Sequence, residues 1–225
     1  MEDLDYKNEM DLSVVIPVYN EEENIRPLYK QLIATLDQGS NTYEIVFVDD
    51  GSTDKSLLAL KEIQSSDPKV RVVQFRKNFG QTASLAAGIN LAGGAVIVTL
   101  DADLQNDPAD IPKMLEQLKN GYDLVCGWRT PRKDNLLFRT MPSKIANFFI
   151  GLLTDVKLHD YGCTLKVMQC DVAKNLKLYG EMHRLIPALA SSYGVAICEV
   201  KVNHRPRIAG ESKYGMARTF GVILD

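Results

Sequence analysis

The sequence predicts an α/β fold, a mostly parallel sheet with helices on both faces. Two observations predict it. Short, near-continuously apolar runs alternate with longer segments of helical spacing through the first half of the chain, and most of these runs end in a cluster of polar residues. Continuous apolar runs are what strands buried on both faces require. Repeated strand–helix alternation implies parallel strands joined by crossover helices.

The first run, Leu12 to Pro17, precedes a helical pattern over Glu22 to Asp37. Tyr43 to Asp49 leads into Thr53 to Ser66, and Val70 to Phe75 into Gly80 to Ala92. Ala95 to Leu100 leads into Pro108 to Lys119, with Asp107–Pro108 reading as a helix cap, and Tyr122 to Cys126 forms a further strand. Ligands of such sheets bind beyond the carboxyl ends of the strands. That rule selects Pro17–Glu21, Asp49–Asp54, Arg76–Gln81 and Asp101–Gln105 as one polar rim.

A chain of 225 residues, 45% hydrophobic and 24% charged, suffices for one large domain with a full core. Its net charge of −3 exerts no global pull on nucleic acid. Cys126, Cys163, Cys170 and Cys198 lie far apart without a C-x-x-C pair, which argues against a zinc site or disulfide framework and suits buried thiols in a reducing compartment. The polar, acidic segment Met1 to Met10 is neither signal peptide nor anchor, and no run reaches the roughly 20 apolar residues of a spanning helix. The chain as it stands is expected to be soluble.

Neither the glycine fingerprint of dinucleotide enzymes nor a P-loop follows the first strand, so a pyrophosphate needs another device. Asp101 and Asp103, one residue apart at a strand mouth, repel each other unless a divalent cation sits between them and a bound phosphate. With Gln105 they offer hard oxygen ligands that suit Mg2+ or Mn2+. Taken alone, D-x-D or Asp50-Gly51-Ser52 is an ordinary turn or cap. Their joint occurrence is the signal.

Pro17-Val18-Tyr19-Asn20-Glu21, Val48-Asp49-Asp50-Gly51-Ser52-Thr53-Asp54 and Leu100-Asp101-Ala102-Asp103-Leu104-Gln105 resemble the family-two inverting glycosyltransferases of the GT-A fold. Asn78-Phe79-Gly80-Gln81, Asp160-Tyr161-Gly162-Cys163 and Gly210-Glu211-Ser212-Lys213-Tyr214 resemble the polyprenyl-phosphate branch of that family. The resemblance spans about Leu12 to Asp225 and implies one catalytic domain over 12–225 behind a tail of 1–11. Its nucleotide-sugar half would cover about 12–128, its acceptor half about 129–213, and a membrane-proximal helix would start at 214–225.

Carried over, the resemblance places Pro17, Tyr19, Glu21 and Asp50 around base and ribose, with Asn20, Ser52, Asn78, Gln81 and Ala102 completing the donor pocket. Asp101 would reach the ribose or the metal, while Asp103 and Gln105 would ligate it. A carboxylate such as Asp50 can accept the imide N–H of uracil, which favours a UDP-sugar and leaves a GDP-sugar open.

Positive charge concentrates in two segments of this otherwise acidic chain. Arg129, Arg132, Lys133, Arg139 and Lys144 face one acid, Asp134, and Lys201, Arg205, Arg207, Lys213 and Arg218 face Glu211. Beside the first, Leu137, Met141, Ile145, Phe148, Phe149 and Leu152 recur at helical spacing, a pattern that serves a membrane interface or an ordinary core-facing helix. Tyr214 to Asp225 reads as a second, juxtamembrane amphipathic helix that ends without a stop signal, as expected of a chain cut before transmembrane helices.

The basic, amphipathic segments suit a phosphate at a membrane, and the resemblance implies that it is a polyprenyl phosphate at the cytoplasmic face. Such a phosphate is already anionic and needs positioning more than a strong base. Arg129, Arg132, Arg207 and Lys213 are the candidates to grip it. Asp160 would orient an arginine or act as base. Lys166 stands where many relatives have Arg, and Cys163–Thr164 replaces a second acid, which weakens the base assignment. His159, His183 and His204 receive no role, and Trp128 reads as packing. An acceptor that is a polysaccharide or another non-lipid is the alternative, although Q-x-x-R-W is absent. A homo-oligomer is open to either reading.

Overall fold

The computed structural model describes residues 10–130 and 157–206. Seven strands form one sheet in the order β3-β2-β1-β4-β6-β5-β7. They are β1 (Met10–Val18), β2 (Tyr43–Asp49), β3 (Val70–Gln74), β4 (Gly94–Thr99), β5 (Leu124–Arg129), β6 (Lys166–Gln169) and β7 (Ile197–Val202). The helices are α1 (Glu22–Leu36), α2 (Ser56–Ser66), α3 (Gln81–Leu91), α4 (Ile111–Lys119), α5 (Cys170–Asn175) and α6 (Ile186–Ser191).

The predicted strands and helices of the first half are all present, with shifted ends. β1 begins at Met10 because the amide of Asp11 bonds Thr42 at the start of β2. α2 begins at Ser56, three residues after the predicted Thr53, because Asp54 Oδ1 accepts the Ser56 N–H at 2.9 Å and so turns the chain before the helix. Asp107 caps the short 3-10 turn Pro108–Asp110 by accepting from the Ala109 amide at 3.1 Å, as its sequence predicts. β5 extends to Arg129 because its whole length pairs with β7.

Apolar residues from alternate strand positions divide into two cores. Val14, Ile16, Ile45 and Phe47 pack with Ile25, Leu28, Leu60 and Met114 from α1, α2 and α4. On the opposite face Val15, Val46, Val48 and Ile97 pack with Leu85, Ile89, Val172 and Ala190 from α3, α5 and α6. Burial on both faces explains why these strands read as continuous apolar runs. Gly88 lets α3 approach the sheet, since a Cβ there would lie 2.4 Å from Val15 Cγ1.

β6 is inserted antiparallel between β4 and β5. Consequently the start of β6, the carboxyl end of β5 and the carboxyl end of β7 all open on the rim where β1 to β4 end. Residues 157–165 and 203–206, far along the chain, are delivered to the predicted polar rim.

Candidate active site

Three loops of the rim are tied together by side chains accepting backbone N–H groups. Asn20 adopts φ 52°, a left-handed conformation that asparagine tolerates, and its Oδ1 accepts the Thr53 N–H at 2.8 Å. The Asn20 amide donates to Ser52 Oγ at 3.0 Å, and the Glu21 amide donates to Ser56 Oγ at 2.8 Å. Asp50 reaches across to the third loop, accepting from the Phe79 and Gly80 amides at 2.7 and 2.9 Å. Burial still pushes the Asp50 carboxyl upward in spite of those two bonds. Gly51, at φ +69°, has its Cβ direction 2.5 Å from the Lys77 carbonyl carbon, so only glycine lets these loops touch.

Pro17, Tyr19, Asn20, Glu21, Asp50 and Ser52 thus share one edge of the rim, with Asn78 exposed above it. Gln81, the first residue of α3, donates to Asp101 Oδ1 at 2.6 Å and joins this edge to the loop after β4. Ala102 is buried behind that loop.

The D-x-D loop has its own geometry. Asp103 Oδ1 accepts the Gln105 N–H at 3.1 Å, and the intervening Leu104 is buried with φ 63°. A non-glycine residue in that region costs energy and recurs at functional loops. Burial first, and then the neighbouring Asp103 charge, push the Asp101 carboxyl well above the usual carboxylate range, against a Thr164 hydrogen bond and the charges of Arg129 and Lys166. A divalent cation would relieve that strain, and Asp101, Asp103 and Gln105 provide oxygen donors suited to it. Among the described residues no group of three or more His, Cys, Asp and Glu could hold a metal. The residues fit a cation completed by ligand phosphates.

Across the rim, Arg129 ends β5 and meets Asp160 in a two-pronged pair, Nε to Oδ2 at 2.7 Å and Nη2 to Oδ1 at 2.8 Å. Asp160 is 1% exposed and the Arg129 side chain 17%, so the guanidinium is oriented by a buried anion while keeping access to the rim. Lys166 is buried and donates to the Cys163 carbonyl. Arg132, Arg207, Lys213 and both predicted amphipathic helices lie outside the described residues.

Several rim residues carry no clear motif in sequence. Glu199 accepts the amides of His159 and Asp160. Arg205 pairs with Asp107 at 2.5 Å, its amide donates to the Gln105 carbonyl at 2.9 Å, and Asn106 bridges His204, so the segment after β7 is stitched to the D-x-D loop. Strand Ile197–Val202 carries two charges, Glu199 and Lys201, and nothing in the sequence separates the buried Glu199 from its neighbour. The three histidines all find partners: His159 at Glu199 and stacked on Trp128, His183 at Thr82, His204 at Asn106.

The profile of glycosyl transferase family 2 matches residues 13–177. The chain belongs to this family. A family relative, dodecaprenyl-phosphate galacturonate synthase of Rhizobium johnstonii, is 47% identical over 96% of this chain and 65% of its own length. Undecaprenyl-phosphate 4-deoxy-4-formamido-L-arabinose transferase of Edwardsiella ictaluri is 40% identical over 98% of this chain and 68% of its own length. The chain therefore spans about two thirds of the curated relatives it matches. Glucosyl-3-phosphoglycerate synthase from Mycobacterium tuberculosis, solved with Mn2+ and UDP-glucose, has a TM-score of 0.68 at 20% identity, covering 96% of this chain and 76% of that one. That likeness establishes the GT-A-like fold predicted from the motifs. Among the described residues no helix is long and apolar enough to cross a membrane.

Proposed function

We propose that the chain is the catalytic domain of a metal-dependent inverting glycosyltransferase that moves a sugar from a UDP-sugar to a polyprenyl phosphate at the cytoplasmic membrane face. The observation that carries this reading is the meeting on one rim of the Asn20–Asp50–Gly80 loop cluster, the Asp101/Asp103 pair and the Asp160-oriented Arg129. The relatives named for dodecaprenyl- and undecaprenyl-phosphate sugar transfer support the acceptor class. The neighbour solved with Mn2+ and UDP-glucose supports the donor and the ion.

In this mechanism the first three loops hold the nucleoside, with Asp50 ordering the Phe79–Gly80 backbone as it faces the base. Asp101 and Asp103, with Gln105, hold Mg2+ or Mn2+, which when bound supplies charge neutralisation for the departing diphosphate. Gln81 fixes Asp101 by donating to its Oδ1. Arg129 grips the acceptor phosphate, and Asp160 orients that guanidinium. A buried carboxylate already committed to two charge-assisted bonds is poorly placed to take a proton, and an anionic phosphate does not require it to. Positioning and electrostatics then govern the displacement at the anomeric carbon.

The test incubates the protein with Mn2+, a panel of UDP-sugars including uronic acid and amino-sugar donors, and a polyprenyl phosphate. A lipid-linked sugar of inverted configuration is expected from one donor. Release of UDP with no lipid-linked sugar under any donor would overturn the acceptor assignment, and transfer to a glycan instead would install the alternative reading.

A further inference from the structure

Glu199 stands in β7 opposite Cys126 of β5, and its side chain is 9% exposed. Its Oε2 accepts the His159 N–H at 2.8 Å and meets His159 Nδ1 at 2.9 Å, while Oε1 accepts the Asp160 N–H at 2.9 Å. One carboxylate thereby captures two successive amides and fixes the peptide between them. The His159 ring is clamped as well, stacked on Trp128 with centroids 4.1 Å apart and planes 13° from parallel. Lys201 Nζ lies 5.2 Å from the Trp128 ring centroid.

A desolvated carboxylate in a strand costs more than an apolar residue of similar size would. Its hydrogen bonds go to residues 159 and 160, so its return is local to them. Alternation along β5 puts Trp128 and Arg129 on opposite faces. The 159–160 peptide spans that division, with His159 against Trp128 and Asp160 against Arg129.

We propose that Glu199 is a positioning residue for phosphate recognition, holding the His159–Asp160 peptide so that Asp160 sets the orientation of Arg129. The inference rests on the reading of Arg129 as the acceptor-phosphate ligand. The seat itself is independent of that reading, which lets the two be tested apart.

Glutamine at 199 keeps one acceptor oxygen and turns an NH2 toward an N–H donor, so at least one captured amide is lost. In the full chain, Glu199→Gln is expected to lower kcat/KM for the polyprenyl phosphate at least about tenfold, chiefly through KM, because small displacements of a positioning group are costly. Affinity for UDP with Mn2+, measured by calorimetry, should stay within about twofold of wild type, since nothing in the nucleotide loops changes. The Arg129 Nε–H resonance, assigned by its loss in Arg129→Lys, should shift. Glu199→Asp keeps both oxygens on a shorter stem and should recover part of both effects; it also serves if the glutamine variant does not fold. An unmoved resonance overturns the positioning role. A moved resonance with unchanged KM for the lipid overturns its link to the acceptor, and an equal loss of nucleotide affinity marks general destabilisation and overturns it too. Should the wild type form no lipid-linked sugar, the acceptor reading fails while the resonance still decides whether Glu199 positions Arg129.

Discussion

Replacing Asp160 by asparagine strikes the charge pair that orients Arg129 at the rim. The native carboxylate accepts Arg129 Nε at 2.7 Å, Nη2 at 2.8 Å and the Arg129 amide at 3.3 Å. Hydrogen bonds to charged groups contribute about 1.5–3 kcal/mol each. The amide retains one acceptor oxygen and points its NH2 at a guanidinium N–H, so at least one such bond is lost and the guanidinium loses the Asp160 charge. Removing one partner of a fully buried pair costs about 3–5 kcal/mol. Because Arg129 keeps 17% of its side-chain surface, the lower end, about 3 kcal/mol, applies. At about 2–4 °C per kcal/mol for a chain of this size, Tm should fall by about 6–12 °C. Urea unfolding with an unchanged m-value is the assay. Adding Arg129→Met should restore part of the loss, since removing both charges spares the stranded cation. A loss below about 1 kcal/mol would place the pair in the class of exposed bridges and refute the reasoning.

Asp103→Asn should abolish Mn2+-dependent UDP binding in calorimetry while moving Tm little, since the role assigned to this side chain is toward a cation and not the core. Glu44, buried at the opposite end of the sheet, would be raised by desolvation, but bonds from the Gly93 amide, Ser13 and Arg71 outweigh this and leave it lowered from 4.5. A lowered carboxyl stabilises above its unfolded pKa and loses that contribution as pH falls through its folded one. Glu44→Gln should therefore be less stable by about 1–3 kcal/mol at pH 7, and the gap in urea midpoints should close as pH drops below 4.5. Burial pushes the Cys126 thiol up to about 12 and the Cys163 thiol up to about 11. Burial raises the Cys198 thiol as well, so a thiol reagent at pH 8 should label Cys170 first in the native chain, Cys198 more slowly, and Cys126 and Cys163 only after unfolding, as peptide mapping would show.

Strands β1 to β4 were legible because burial on both faces demands unbroken apolar runs, and the loops beyond them because parallel topology sends ligands to one end. Helix starts were less so. Thr53 sits outside α2 since the Asp54 side chain competes for the first helical amide, a contest that periodicity does not register. β6 and β7 are not legible as strands, since β6 has only four residues and β7 carries Glu199 and Lys201 within it, and their direction depends on pairing across distant segments.

By itself the sequence determined the alternating α/β order, the polar strand ends and the family, because each is written in local pattern and contiguous motif. It also singled out Asp101 and Asp103 from residue type and spacing, and Asp160 through the resemblance of its motif. Only the tertiary structure decided that Gln81 bonds Asp101, that Arg129 is the arginine Asp160 holds, and that Glu199 seats the His159–Asp160 peptide. Such pairings span 20 to 40 positions along the chain, and those to Asp160 and His159 arise where an antiparallel strand inserted beside β4 folds a distant loop onto the rim. Register and strand direction are properties of the sheet, so no single stretch of residues encodes them.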